Sequence, residues 1–409
     1  MFTDLEFLEK SANSLENNIV DFLCDLVSIQ SVNGTNPEKH VADRITLEAK
    51  KLNLPFQIKS QKKDRPNVLV SYGDGPLEFL FVAHMDTVSP GDINTWKSNP
   101  FQGVKRNDRI YGRGTADNKA GIACALYTIA MMKNLSIIQN NMKITLAAVS
   151  DEESGATSKI GVRHLINTNS LNDAKGAIYT YASDNVCIGH RGLLRLEITT
   201  IGKSVHTGGN AWNDGIDGIN AVTGLAAILL KLESTKIDFT PHKSFGTLRN
   251  IITPGTIFNG GEFESVVPNS ATAIVDIRLL PETDYNSIIN LIKSLIIDET
   301  KQRPGIKYNL SVKNKLPAVV LDENHPLVTT TVDIAQKITR QEWNALGAGP
   351  ANEGYMLIKS GIPTLCGFGP KGDNAHGANE WIEINSLSTT TAIYAAVAEQ
   401  YLSTIENNK

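Results

Sequence analysis

Only four cysteines occur in the 409 residues (Cys24, Cys124, Cys187 and Cys366), far apart and with no CxxC pair. That excludes a thiolate zinc finger and points to a reducing compartment, where such side chains act as small buried hydrophobes. No run approaches the ~18 consecutive apolar residues of a membrane helix. Basic residues (39) do not exceed acidic ones (43), and the formal net charge of -4 leaves no electrostatic footprint for nucleic acid. No GxSxG elbow follows a predicted strand, so a serine hydrolase is not indicated. The opening stretch "MFTDLEFLEKSANS" is acidic and lacks an apolar core followed by a cleavage site. The expectation is a cytoplasmic protein with no membrane and no nucleic-acid partner.

What is present is an ordinary globular composition, 41% hydrophobic and 20% charged. The length is too great for one core, so two domains are expected. Leu15, Ile19, Phe22, Leu23, Leu26 and Val27 recur at helical spacing, and 39–52 repeats the pattern. Short, nearly continuous apolar runs follow: "PNVLVSY", "LEFLFVA", "MKITLAAVS", "GAIYTYAS" and "IPTLCGFG". With helical stretches between them, they predict a mostly parallel α/β sheet flanked by helices. The middle of the chain alternates instead, in "LLRLEITTI" and "ATAIVDIRLL", as a sheet with one wet face does. Its order β-α-β-β-α-β predicts an inserted α+β split-βαβ (ferredoxin-like) domain. The expected division is a discontinuous domain, 1–188 and 305–409, interrupted by an insert, 189–304.

Ligands of open α/β sheets bind beyond the carboxyl ends of the strands. Here the apolar runs end on His84 and Asp86, on Asp151, Glu152 and Glu153, and on Asp184, while "IPTLCGFG" leads to His376. Asp117 lies in the glycine-rich "YGRGTADNKAG" that feeds a helix. Singly, each has a plain explanation: an aspartate before a helix caps it, and a Glu-Glu pair after a strand is a solvated turn. Together on one rim, imidazoles and carboxylates are the ligand chemistry of zinc. Five ligands exceed one tetrahedral ion but suit two ions that share a carboxylate.

The motifs "HMDT", "GRGTADNKAG", "DEESG" and "HGANE", in this order and spacing, resemble the M20 family of dinuclear metallopeptidases and deacylases. The similarity extends through "GHRG", "GKSVHTG", "SVVPNSATAIVDIR" and "IPTLCGFGP", nearly the whole chain. The resemblance implies that His84 and Asp184 complete one metal site and Glu153 and His376 the other, with Asp117 bridging. It implies that Asp86 orients His84 and that Glu152 is the general base, taking a proton from the attacking water and returning it to the leaving nitrogen. In the insert it implies a dimerisation and lid domain. There His206 reaches across a homodimer interface to the oxyanion, and Arg278, assisted by Arg191, holds a substrate carboxylate. The implied cofactor is two Zn²⁺, with Co²⁺ or Mn²⁺ able to use the same donors.

Three positions depart from the deacylase-like members: aspartate rather than glutamate at 184, Ser265 in "ESVVP", and Pro350 in "GAGPANEGY". The resulting expectation is an amidohydrolase cleaving a small N-acyl amino acid. A zinc di- or aminopeptidase acting on short peptides is the alternative of the same chemistry. Arg278 favours the free carboxylate of the first; Asp184 leans toward the free amine of the second. A non-catalytic dimeric metal-binding scaffold is the remote alternative, disfavoured because the base and all five ligand positions are filled.

Overall fold

Every residue of the strand Leu77–His84 is buried. The reason is its place in the sheet of a computed structural model that describes residues 2–138 and 141–407. Met142–Val149 and Ala174–Thr180 lie parallel to it on either side. Both faces are therefore covered, and a continuous apolar run is what such a strand needs. Phe79 and Phe81, two residues apart and so on one face, meet Tyr401 and Tyr394 of the helix Ile384–Asn407 at ring separations of 5.9 and 4.7 Å. Each large side chain buried in this way contributes about 1.5–3 kcal/mol.

Two units make up the chain. The first gathers the chain up to Gly189, Val320–Ala348 and the chain from Asn352 on; the second comprises His190–Val319 and Gly349–Ala351. In the first, the large sheet runs Phe56–Lys62, Arg65–Tyr72, Met142–Val149, Leu77–His84, Ala174–Thr180, Thr364–Phe368 and Val186–His190 in spatial order. Thr364–Phe368 is parallel to Ala174–Thr180, so four parallel strands point their carboxyl ends to the same edge. The helix Ala120–Asn134 is apolar all round and buried through Met132, as a helix inside a core must be. The amphipathic Glu16–Ser28 buries Ile19, Phe22, Leu23, Leu26 and Val27, the stripe that its spacing predicts.

The second unit is a four-stranded antiparallel sheet in the order Ile251–Gly260, Ser270–Leu279, Gly192–Ile201, Lys307–Leu316. Leu194, Leu196 and Ile198 and then Ala273, Val275 and Ile277 face the helices Ala221–Glu233 and Tyr285–Lys301, in the expected β-α-β-β-α-β order. Lys307–Leu316 pairs along its length with Gly192–Ile201. The unit consequently runs to Val319, past the boundary expected at 304. No helix of the described residues is long and apolar enough to cross a membrane.

Candidate metal centre

His84 is the last residue of its strand and is 2% exposed. Its Nδ1 lies 2.9 Å from the Asp86 carbonyl oxygen and its Nε2 2.8 Å from Asp117 Oδ1. Both neighbours are acceptors, and a neutral imidazole has one proton to offer. A cation is therefore called for between Nε2 and the carboxylate, either a second proton or a metal ion. Asp117 repeats the demand on its other side, where Oδ2 is 3.2 Å from Nε2 of the half-exposed His376. Each oxygen of Asp117 thus faces a different imidazole, the disposition of a bridging carboxylate.

Glu153 completes the set. Its Oε1 lies 3.2 Å from His376 Nε2 but in no alignment for a hydrogen bond, and the atom is buried without one. A buried carboxylate oxygen left unpaired is costly unless a cation serves it. Ligand atoms of His84, Asp117 and Glu153 all lie within 4.8 Å of one another. These residues fit a divalent ion by donor type, by convergence and by this orphaned oxygen. Burial would raise the pKa of Asp117, but His376 and then His84 outweigh it and hold the carboxyl below its usual range. Asp117 first and Glu153 second raise His376 to about 10. Burial pushes Glu152, 8% exposed, well above the usual carboxylate range against the opposing charge of His84, while Glu153, Glu353 and Asp117 add to the rise.

Several buried contacts hold these side chains in place. Asp86 Oδ2 accepts from the Glu153 N–H at 2.9 Å and from Asn33 Nδ2 at 2.6 Å, and Oδ1 accepts from the Glu152 N–H at 3.2 Å. Its carboxylate stands 3.7 Å from His84 Nδ1, beyond hydrogen-bond length. Asp86 therefore orients His84 through its backbone carbonyl, whereas its side chain fixes the Glu152–Glu153 turn. Upstream of that turn, Asp151 Oδ1 accepts from Arg65 Nη1 at 2.8 Å, and Arg65 also pairs with the buried Glu38.

The loop of Asp117 is held by Glu380, a residue of "HGANE" to which sequence reasoning gave no role. Glu380 is fully buried; Oε1 accepts from the N–H groups of Ala116 (2.8 Å) and Asp117 (3.0 Å). Oε2 accepts from Gly114 N–H (3.0 Å) and Arg113 Nη1 (2.6 Å). Arg113 Nη2 also donates to the Gly377 carbonyl at 3.0 Å, beside His376. Asn118 exchanges hydrogen bonds with Thr180 at the end of the neighbouring strand. Gly121 lets this approach happen, since a Cβ there would meet Thr180 Oγ1 at 2.0 Å. Lys119 Nζ donates to the carbonyls of Leu26 and Ile29 at the end of the helix Glu16–Ser28. These partners lie far apart in the chain, and no local pattern announces them.

Asp184 lies four residues beyond the end of the strand Ala174–Thr180. It is exposed and lines a surface groove with Glu9, Ile338, Trp343 and Lys371.

In the second unit, His206 is exposed, and its Nδ1 accepts from the Gly208 N–H at 3.0 Å. The proton of a neutral ring is thereby placed on Nε2 as an outward donor. Arg278 is held by Asp276, with Nε 2.7 Å from Oδ1 and Nη2 3.3 Å from Oδ2. Arg191 donates from Nη1 to the Arg249 carbonyl at 2.8 Å. Burial and then the charge of Arg278 lower its pKa, so two guanidinium groups share one region of this unit.

The model of peptidase family M20/M25/M40 matches residues 80–400. A "probable succinyl-diaminopimelate desuccinylase" of Staphylococcus aureus (strain N315) is 24% identical, the alignment covering 95% of this chain and 98% of that protein. A di-peptidase of Saccharomyces cerevisiae shares the fold at a TM-score of 0.80 and 14% identity, over 98% of this chain and 99% of that one. So does a dinuclear metal binding peptidase of Bacillus subtilis at 0.66 and 15%, over 96% and 98%. At these identities the structural likenesses speak for the fold alone, whereas the family match spans most of the chain. The chain belongs to peptidase family M20/M25/M40.

Proposed function

We propose that this protein is a metal-dependent amidohydrolase that cleaves the amide bond of a small N-acyl amino acid. The observation that carries the reading is the convergence of His84, Asp117, Glu153 and His376 beside the buried Glu152. When bound there, a divalent ion supplies Lewis acidity toward carbonyl and water oxygen. Zn²⁺ suits imidazole and carboxylate donors, and Co²⁺ or Mn²⁺ can use them too. Glu152 takes the proton of the attacking water and delivers it to the leaving nitrogen. Arg278, oriented by Asp276, receives the substrate carboxylate with its planar fork, and Arg191 adds a second positive charge. His206 offers its Nε2 proton to the oxyanion.

A di- or aminopeptidase is the competing reading, and the fold likeness to a di-peptidase is its support. The sequence feature that favours it is the aspartate at 184. The deciding assay is metal-loaded hydrolysis of N-acetyl-ornithine, N-succinyl-diaminopimelate, other N-acyl amino acids and unblocked dipeptides, with a metal-stripped control. Turnover of the acylated compounds alone is expected; turnover of free-amine peptides alone would replace this reading by the peptidase one.

The second unit is proposed to form a homodimer in which His206 serves the partner's site. His206→Ala is expected to lower kcat about 10²–10³-fold, the usual loss on removing an oxyanion donor. Mixed with the Glu152→Ala protein under subunit exchange, it should recover activity, because one site per mixed dimer then has both residues. Inactive mixed dimers would show that His206 does not act in trans.

A further inference from the structure

The helices Ala221–Glu233 and Tyr285–Lys301 cover one face of the second unit's sheet, and the opposite face carries a polar row. Asp276 pairs in register with Arg195 on the strand beside it. Thr253 is opposite Asp276 on one outer strand, and Asn314 is opposite Arg195 on the other. Alternate residues of a strand share a face, so Arg278 and Ile274 lie on the same side as Asp276. Both outer strands break register at this level, between Pro254 and Ile257 and between Val312 and Asn314. Such bulges bend a strand and re-aim its side chains. The row and the two irregular segments line one cavity of about 570 Å³.

Its charges gather around a single carboxylate. Asp276 Oδ2 accepts from Arg195 Nε at 2.9 Å, and Oδ1 accepts from Arg278 Nε at 2.7 Å. Lys313, added at one of the bulges, is paired with Glu197 at 3.2 Å and leaves this balance unchanged. Two guanidinium groups therefore share one negative charge, an excess of +1. Arg191 adds to it: its hydrogen bonds go to the Arg249 and Gly349 carbonyls, and the charge of Arg278, after burial, lowers its pKa.

The forks are also held so that their outer edges stay available. Arg195 spends only Nε on Asp276, and both of its Nη groups are without a partner among the described residues. Arg278 spends Nε and Nη2 and keeps Nη1. A guanidinium anchored along one side is pre-organised to receive a carboxylate on the other. Arg195 and Arg278 are diagonal neighbours across the two strands, with Cα atoms on the order of 7–8 Å apart. Two forks at that spacing, drawn together by Asp276, suit two carboxylates joined by a short chain. Ile257 and Ile274 in the same cavity offer apolar surface to its methylenes.

We infer that the amino acid released from the substrate is a short dicarboxylic one, of glutamate or aspartate type. Arg278 holds the carboxylate next to the scissile amide, and Arg195 holds the carboxylate of the side chain. This rests on the N-acyl amino acid reading above and narrows it: Arg195, which no motif singles out, sets the choice of side chain.

Steady-state kinetics of the metal-loaded full chain test it on the N-acetyl derivatives of glutamate and glutamine and of aspartate and asparagine. Within each pair the shape is nearly constant and one charge differs. The acid of at least one pair is expected to be preferred in kcat/KM by about 10–100-fold, the size of a charge-assisted hydrogen bond. Arg195→Gln is expected to bring that ratio close to one through KM. A merely structural defect would lower acid and amide together and leave the ratio standing, which would overturn the role of Arg195. Calorimetric titration of the parent protein needs no variant: glutarate or succinate is expected to bind more tightly than its monoamide, and equal affinities in both cases would overturn the inference. Ratios near one for both substrate pairs would overturn it too and leave the amidohydrolase reading standing. No turnover of any N-acyl amino acid would overturn that reading, and this inference with it.

Discussion

Glu152→Ala and Glu152→Gln are expected to lose hydrolysis by about 10²–10⁴-fold while retaining the metal content of the parent protein. The size is that of a positioned general base, equivalent to about 3–5 kcal/mol of activation free energy at 1.36 kcal/mol per decade. The separation of rate from metal content follows from the turn Glu152–Ser154. Asp86 grips the N–H groups of both Glu152 and Glu153, so two consecutive carboxylates leave one rigid backbone in different directions. Glu153 reaches His376. Glu152 is buried beside the charge of His84 without a salt bridge to either imidazole, which suits a group that must exchange a proton. Elemental analysis and kcat measured on the same preparation check the prediction. Loss of metal in Glu152→Gln would make Glu152 a ligand, and retained kcat would remove it as the base.

Much of this arrangement is legible in the residue pattern, and the reasons are local. The period of "LEFLFVAH" dictates a buried parallel strand, and a polar residue closing such a strand must emerge at the carboxyl edge. The same logic places Glu152 and Glu153 after Met142–Val149. Alternation in "LLRLEITTI" and "ATAIVDIRLL" assigns one face of the second sheet to its helices and leaves Arg195, Asp276 and Arg278 on the other. What fails is whatever depends on the path of a loop. Asp184 lies four residues beyond a strand end, and nothing in its neighbours' periodicity says which way its exposed side chain is turned. Nearness of Asp86 to His84 suggests a side-chain pair, but the backbone carbonyl makes that bond and the carboxylate turns to the next strand's turn. The extent of the second unit is misjudged because the partner of Gly192–Ile201 is a strand more than a hundred residues later in the chain.

Glu380 is the clearest case of a contact no local pattern announces, because its partner Arg113 is 267 residues away, and it carries the second large prediction. Glu380→Gln is expected to weaken metal binding about 10–100-fold, the usual loss when a group that orients ligands is removed, and to destabilise the first unit by about 3–5 kcal/mol. The stability figure is that for removing one partner of a buried ion pair. Arg113 is only 1% exposed, so its charge cannot recover water when the carboxylate goes. Glutamine is nearly isosteric, which makes the outcome diagnostic. Both carboxylate oxygens each accept two bonds, and all four partners are N–H donors. The amide nitrogen of glutamine would face two of those donors with hydrogens of its own. The N–H groups of Ala116 and Asp117, or else of Gly114 and Arg113, then lose their acceptor, and the carboxylate of Asp117 loses its seat. Because Arg113 also holds the Gly377 carbonyl, the displacement reaches the His376 loop as well. Metal affinity by competition with a chromophoric chelator, and chemical unfolding with and without metal, read the two effects separately. A Glu380→Gln protein with parental affinity and parental stability would show that the loops of Asp117 and His376 are fixed by other contacts. A protein destabilised to the same extent with and without metal, its affinity unchanged, would reduce Glu380 to a purely structural residue.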